Sequence, residues 1–559
     1  MATNKELAEL IFPDVKETVS DLEKRYPDRN LKEGAFVTRF APSPTGFLHT
    51  GSLFTAMIAD KFAKQSGGVS FFRLEDTDQK REIEGTGLDL VRQLKKFGIV
   101  FDEGYYGDHE EGNYGPYVQS KRADIYKVVI KELIKKGRAY PCFCSKQDLD
   151  ELRLVQQANN VIPGYYGEYA KCRHYSIDEM IKFIKEGKPY VIRFKSKGNH
   201  LNYIRVHDMI RGDLDLAEND QDIVILKSDG LPTYHFAHLV DDHFMHTNLV
   251  TRGEEWLSSL PIHIELFASM DWKAPYYAHL PVIMVNDLET GNRRKLSKRK
   301  DKEAATSFFL EQGYPILGVK EYLYTIANSN FEEWLDGNRN ASLDDFKLTF
   351  EKFSLDGALF DLPKLTNISK ELLSRLTKEE FKEQCLSWAK DYDDKLASLI
   401  ESDVNKFEKI INIEREQEKP RKDYEKFSDV YNKIAFFYND NYDELLKENK
   451  LPFSEFINVD VIKSFLNDFA SDLDRTLNMD ETEWFNAMKE KGLKHNFADD
   501  RKIYKANPDK YVGWYADCIS LIRIAVSTST QAPKLYDVLK ILGKDEIQRR
   551  IELVCKTLD

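Results

Sequence analysis

Apolar positions along this chain change period several times, and each change marks an element or a boundary. Leu7, Leu10, Ile11, Val15, Val19 and Leu22 recur near helical spacing, so the first thirty residues predict a helical leader that Gly34 ends. Residues 36–40 are a short β-rich run, and residues 52–64 suit a helix. Residues 69–74 are a second strand, set off by Gly67-Gly68 and by the acidic turn Glu75-Asp76-Thr77-Asp78. Leu88, Val91, Leu94 and Lys95 trace the next helix, which stops near Gly98. Strand–helix–strand units of this length predict a parallel, doubly wound sheet in an α/β Rossmann-like domain.

The alternation breaks at Cys142, where a Gly- and Tyr-rich insertion begins, and resumes over 222–284 before a basic loop, RRKLSKRK. Beyond about Glu303, β-rich runs become scarce and Lys/Glu-rich helical patterns dominate. The clearest is Tyr511, Trp514, Tyr515, Cys518, Leu521, Ile522 and Ala525, a 3–4 spacing that defines one apolar helix face. The expected segments are a helical extension over 1–34, an α/β domain over 35–140 and 203–302 interrupted by the insertion 141–202, and helical regions over 303–368 and 369–559.

Composition narrows the class. With 559 residues, 42% of them hydrophobic, several packed domains are expected and dominant disorder is excluded. The net charge of -13 gives no bulk attraction to nucleic acid, so any such contact must come from local basic groups. Six cysteines in so long a chain are too few for a disulfide scaffold. No apolar run approaches the roughly 18 residues of a membrane span. The leader is rich in acids, which organellar transit peptides avoid, so a cytoplasmic protein is expected.

Candidate chemistry begins at Ala41-Pro-Ser-Pro-Thr-Gly-Phe-Leu-His49-Thr-Gly51-Ser, between a predicted strand and helix. Two prolines stiffen the turn, and Gly46 and Gly51 allow close backbone approach. His49 then stands at the helix N-terminus, where N–H groups and the helix dipole favour an anion. Lys295-Leu-Ser-Lys298-Arg299 places compact cations on a loop in the other half of the same domain. Either segment alone reads as an ordinary turn or a solvated loop. Together they resemble the HIGH and KMSKS signatures of class I aminoacyl-tRNA synthetases.

Four stretches resemble bacterial glutamyl-tRNA synthetases: RFAPSPTGFLHTGS, FFRLEDTD, SDGLPTYHFAHLVDDHFMHTNLVTRGEEWLSSLPIH, and KLSKRK preceded by YAHLPVI. The likeness is strong from about Phe36 to Tyr314 and patchier through the helical tail, where APKLYDVLKILGKDEIQRRIE resembles the end of the family's anticodon-binding region. The resemblance implies formation of glutamyl-adenylate from L-glutamate and ATP with Mg²⁺, then transfer to tRNA(Glu). Charging of tRNA(Gln) is left open, and a monomer is the family's usual state. It also implies acceptor-end contact by 141–202, stem contact by 303–368 and anticodon binding by 369–559.

Residue by residue, the resemblance implies Arg39, Ala41, Ser43, Glu75, Tyr234 and Arg252 around glutamate. Arg39 would face the side-chain carboxylate and Arg252 would hold one of the two carboxylates. Each guanidinium offers a planar fork that keeps its charge. Glu75 and Ser43 would accept from the ammonium. Pro42, Thr45, Gly46, His49, Gly51, Ser52, Glu255, Trp256, Lys295, Leu296, Ser297, Lys298 and Arg299 would surround ATP, with His49, Lys298 and Lys295 acting on its phosphates.

Cys142-Phe-Cys144 and Cys172-Arg-His174 bring thiolates and an imidazole into one insertion, ligand types that suit tetrahedral Zn²⁺. The C-x-C spacing strains simultaneous ligation, and three reduced cysteines beside an exposed histidine are the alternative. Some family members carry zinc on a C-x-C…C-x-H pattern. The resemblance thus implies Zn²⁺ on Cys142, Cys144, Cys172 and His174, with Tyr169 as the substitute for His174. For RNA contact the basic run at 293–302 and the KPRK at 419–422 are candidates.

Overall fold

The computed structural model describes residues 2–78, 83–287, 289–339, 341–355, 357–448 and 450–558. The chain forms two compact units. One runs through Phe308 and includes Lys320–Asp361, and the other comprises Phe309–Val319 and the chain from Leu362 onward. The segment expected as a helical region over 303–368 thus contributes to both units.

In the first unit, Val37–Phe40 pairs in parallel with Val69–Phe72, which pairs in parallel with Glu103–Tyr105. Leu249–Gly253 pairs in parallel with Tyr276–Leu280. The two ladders meet at Val37, whose N–H donates to Asn248 Oδ1 at 2.7 Å while its carbonyl accepts from Asn248 N–H at 3.1 Å. Every residue of Val37–Phe40 is buried, because helices cover both faces of a doubly wound sheet. The helix Thr50–Ser66 is one such cover, with Leu53, Phe54, Met57, Ile58 and Phe62 almost inaccessible. The junction between the ladders is where strand order reverses, and the carboxyl ends of Val37–Phe40 and Leu249–Gly253 open there onto one cleft.

The leader is two short helices, Asn4–Ile11 and Val19–Arg25. Each starts with a capping box, Thr3 with Glu6 and Thr18 with Asp21. Leu7, Ala8, Phe12 and Leu22 are buried in the same core as Val128, Val129 and Leu133 of the helix Ala123–Lys135. The buried Lys131 ammonium of that helix donates to Glu9 and to the carbonyls of Phe12 and Val15 at 2.8, 3.0 and 2.8 Å. The antiparallel sheet of the insertion reaches beyond the expected 141–202, pairing Ala139–Cys142 with Val191–Phe194 and that strand with Val224–Leu226 from the segment expected in the second half of the α/β domain.

The second unit is helical around a large apolar core. Its expected helix at 511–525 begins later, at Tyr515, and runs to Ser527. Gly513–Trp514 instead pairs with Phe497–Ala498, and the Trp514 N–H donates to the Asp517 carboxylate at 2.9 Å. That local ladder overrides the helical spacing of Tyr511 and Trp514. In the 419–422 run, Arg421 pairs with Glu414 and Asp423 and Lys422 with Glu371, so both already have acidic partners. Trp484 lies in the core. Among the described residues no helix is long and apolar enough to cross a membrane.

Candidate active site

The cleft at the strand ends encloses about 760 Å³. Its lining includes Arg39, Ala41, Pro42, Ser43, His49, Gly51, Ser52, Glu75, Tyr234, Arg252, Glu255, Trp256, Lys295 and Lys298, fourteen of the positions named from the sequence. Thr45, Gly46, Leu296, Ser297 and Arg299 do not line it. Leu296 is 2% exposed and anchors the base of the basic loop through its N–H to the Ile283 carbonyl.

His49 is the N-cap of the helix Thr50–Ser66, and its Nδ1 accepts from the Gly51 N–H at 2.9 Å. That bond leaves Nε2 as the protonated ring nitrogen. Burial, then the nearby Lys298 and Lys295, push the His49 pKa down to about 4, so the imidazole is neutral at neutral pH. The Lys298 ammonium donates to the Phe47 carbonyl at 3.1 Å and lies 4.6 Å from the Phe47 ring centre. It thus reaches the strand-to-helix turn, and burial lowers its pKa. Lys295 donates to Glu255 at 3.1 Å. The loop is shaped by Arg294, which bridges Asp287 at 2.6 Å and Asp301 at 2.6 and 2.7 Å, while Asp301 also accepts from the Ser297 N–H at 2.8 Å.

The two arginines of the cleft differ in their partners. Arg39 sends Nε toward Asp242 at 3.3 Å, and Asp242 also accepts from Arg73 at 2.6 Å. Burial opposes charge on Asp242, but Arg39 and Arg73 outweigh it and hold this carboxyl well below the usual range. Arg73 reaches Glu75 at 3.1 Å, and Gln119 reaches it at 3.4 Å. Burial nevertheless raises the Glu75 pKa against the pull of Arg73 and Arg39. Arg252, 5% exposed, donates instead to His279 Nε2 at 2.9 Å, His263 Nδ1 at 3.1 Å, the Tyr234 hydroxyl at 3.4 Å and the Trp256 carbonyl at 3.4 Å. All four acceptors are uncharged groups. The Trp256 ring lies 4.5 Å from that of Tyr234.

His263, His279, Asp208 and Asp242 carried no role in the sequence reading, although three of them stood inside quoted stretches. The usable signal was an arginine in an apolar strand, Leu-Val-Thr-Arg252-Gly, which must find buried acceptors.

Away from the cleft, the sulfurs of Cys142, Cys144 and Cys172 lie within 4.8 Å of one another. The expected fourth member, His174, is not among them: it is exposed and its Nε2 faces the Gly167 carbonyl at 3.1 Å. Lys171–His174 is a 3₁₀ turn, and residues two apart on such a turn point in different directions. Tyr169 packs on Tyr166 instead. The group at the sulfurs is the Tyr165 hydroxyl, 3.5 Å from Cys142 and 3.3 Å from Cys144.

A strand-end cleft with a helix N-terminus on one parallel ladder and the lysines of a basic loop that follows a separate antiparallel hairpin defines a class I nucleotide-activating domain. Residues 35–334 match the family described as tRNA synthetases class I (E and Q), catalytic domain, and residues 515–555 match an anticodon binding domain. The chain is 43% identical to a glutamate–tRNA ligase of Clostridium beijerinckii over 98% of its own length and 99% of that relative. It is 44% identical to the Clostridium perfringens (strain 13) enzyme of the same name, covering 98% and 99%. A crystal structure of a glutamate tRNA ligase from Elizabethkingia meningosepticum in complex with its amino acid aligns with a TM-score of 0.73 and 26% identity, over 94% of this chain and 100% of that one. The chain belongs to the class I tRNA synthetases of the E and Q type, with a helical anticodon-binding domain.

Proposed function

We propose that this protein is a glutamate–tRNA ligase. It activates L-glutamate with ATP, releasing pyrophosphate, and transfers the glutamyl group to the terminal adenosine of tRNA(Glu). The observation that carries the reading is Arg252, a buried cation in the cleft wall whose partners are all uncharged. A substrate carboxylate supplies the missing counter-charge. The name of the relatives, glutamate–tRNA ligase, supports the same substrate.

In this reading Arg39 and Tyr234 complete the side-chain pocket, and Glu75 with Ser43 and the backbone at Ala41 hold the ammonium. Pro42, Gly51, Ser52, Glu255 and Trp256 line the space for ATP, Thr45 and Gly46 shape the turn and Leu296, Ser297 and Arg299 the basic loop beside it, and Mg²⁺ accompanies the triphosphate. Attack of the substrate carboxylate on the α-phosphorus needs no protein nucleophile. The protein holds the two reactants in line, and His49 Nε2–H, Lys298 and Lys295 meet the charge that builds on the phosphates. The expected result is glutamate-dependent ATP–pyrophosphate exchange, with transfer to tRNA(Glu) in a charging assay. Exchange with another amino acid but not glutamate would overturn the assignment. Charging of tRNA(Gln) in parallel decides the breadth of the tRNA partner. A monomeric, cytoplasmic enzyme belongs to the same reading, as does RNA contact by the insertion, the 303–368 region and the tail.

The donor set of the insertion fits zinc: three thiols converge and a phenol oxygen stands at the open corner. Cys142, Cys144 and Cys172 would hold Zn²⁺ as a structural ion, with Tyr165 rather than His174 as the fourth donor. Protein purified without added metal should carry about one zinc per chain, since closed sites bind tightly. Tyr165→Phe should lower retention under a chelator while His174→Ala leaves it unchanged. Metal-free protein with intact, reduced cysteines would sink the idea.

A further inference from the structure

Behind Arg252 lies a set of groups that does not itself line the cleft and has a definite hydrogen-bond direction. Asp208 and His279 are both fully buried. Asp208 accepts from His279 Nδ1 at 2.6 Å, and also from the backbone N–H groups of His279, Ile210 and Arg211 at 3.1, 3.0 and 2.9 Å. Burial opposes ionisation of Asp208, but these donors outweigh it and lower its pKa. A carboxylate that only accepts leaves the His279 proton on Nδ1. The Nε2 lone pair is then turned to Arg252, whose Nε–H donates to it at 2.9 Å.

The second acceptor is set in the same way. A guanidinium only donates, so His263 Nδ1, 3.1 Å from Arg252 Nη1, must be unprotonated. Its proton sits on Nε2 and points to His235 Nδ1 at 3.0 Å. Burial keeps His263 and His279 in the neutral form, with the adjoining Arg252 adding to the effect. Among the described residues, no carboxylate oxygen is within ion-pair distance of Arg252, in contrast to Arg39, which shares Asp242 with Arg73.

We propose that Asp208, His279 and His263 are positioning residues for amino-acid selection. They aim Arg252 through two neutral imidazole acceptors and so keep it without a direct carboxylate partner until a substrate carboxylate arrives. The inference rests on the reading of Arg252 as a substrate-carboxylate partner. Two cleft arginines therefore do different work. Arg39 is a cation directly paired with a carboxylate of the protein, while Arg252 is held in place with its carboxylate, Asp208, one imidazole away. A carboxylate in place of either histidine would fix Arg252 equally well but remove its preference for a charged ligand over a neutral amide. Geometry and charge are thus separable by substitution.

The test uses the full-length enzyme in ATP–pyrophosphate exchange with glutamate and glutamine, together with thermal melting. Glutamate-dependent exchange by the wild type, and its loss in Arg252→Ala, establish the underlying reading independently. Given those, His279→Leu should raise KM for glutamate about tenfold, the order expected for one lost hydrogen bond to a charged group. KM for ATP and kcat should move less than about twofold. His279→Gln, whose side-chain oxygen can accept from Arg252 Nε–H, should recover most of that loss. His279→Glu should raise KM for glutamate further and lower the glutamate-to-glutamine ratio of kcat/KM at least tenfold. Asp208→Asn should match His279→Leu, and the double variant should be no worse than either single one, because the two act as a unit. A merely structural role predicts something else: a lower melting temperature with KM for glutamate and for ATP shifted alike. That pattern overturns the proposal, as does unchanged selectivity in His279→Glu. Should the Glu variant fail to fold, the Gln and Leu variants decide alone, since equal KM for glutamate in the two would refute an acceptor role.

Discussion

Replacing Arg252 by alanine is expected to lower kcat/KM for glutamate about a thousandfold in ATP–pyrophosphate exchange, a loss of about 4 kcal/mol. The size follows from where the charge sits. Arg252 is 5% exposed, so water cannot replace it, and the substrate carboxylate would enter a buried wall with no cation at that position. Arg252→Lys should rescue only part of the loss. A compact ammonium cannot span His279 Nε2 and His263 Nδ1 while still facing the cleft. Arg39→Gln should act in the same direction but less, raising KM for glutamate and eroding discrimination against glutamine, because Asp242 already offsets much of the Arg39 charge. Wild-type glutamate kinetics in Arg252→Ala would show that the pocket has been assigned to the wrong residues.

Lys298→Ala is expected to slow glutamate activation about a hundredfold, or about 3 kcal/mol, mainly through kcat. The ammonium spans from the basic loop to the Phe47 carbonyl at 3.1 Å, beside the turn that leads into His49. A group so placed meets the triphosphate as charge develops, so its removal should change kcat more than KM for ATP. The fold should survive, since the loop keeps its Arg294 bridges to Asp287 and Asp301. Lys298→Arg should restore activity in part, as a planar fork does not reproduce a point charge. An alanine variant that activates glutamate at the wild-type rate would pass the role to Lys295.

What the sequence disclosed depended on whether the physics was local. The turn at Ala41 to Ser52 was legible because proline stiffness, glycine and a helix start leave their mark within a dozen residues, and the cleft contains most of what that segment implied. The parallel strands were legible for the same reason: short apolar runs alternate with helical spacing. Asp208 and His279 were not, since they are 71 residues apart and neither breaks the pattern of its own strand. His174 misled because ligand type and spacing fit a metal site while the 3₁₀ turn carrying it points the ring elsewhere. Trp514 misled in the opposite way, with helical spacing that a two-residue ladder to Phe497–Ala498 overrides. The helical leader was legible in the spacing of Leu7, Leu10, Ile11, Val15, Val19 and Leu22, but nothing local shows what it packs against.

That leader sets a constraint on the order of events during synthesis. Its first helix is made well before residues 123–135, yet much of its apolar face and its acceptors for Lys131 are matched by that later segment. At about 5–20 residues per second, the helix waits on the order of ten seconds for its partner to be made. Eight residues cannot hold a helix in water on their own for that time, capping box or not. The leader is therefore an unpaired amphipathic stretch over that interval, and it becomes ordered once the helix Ala123–Lys135 arrives to bury it.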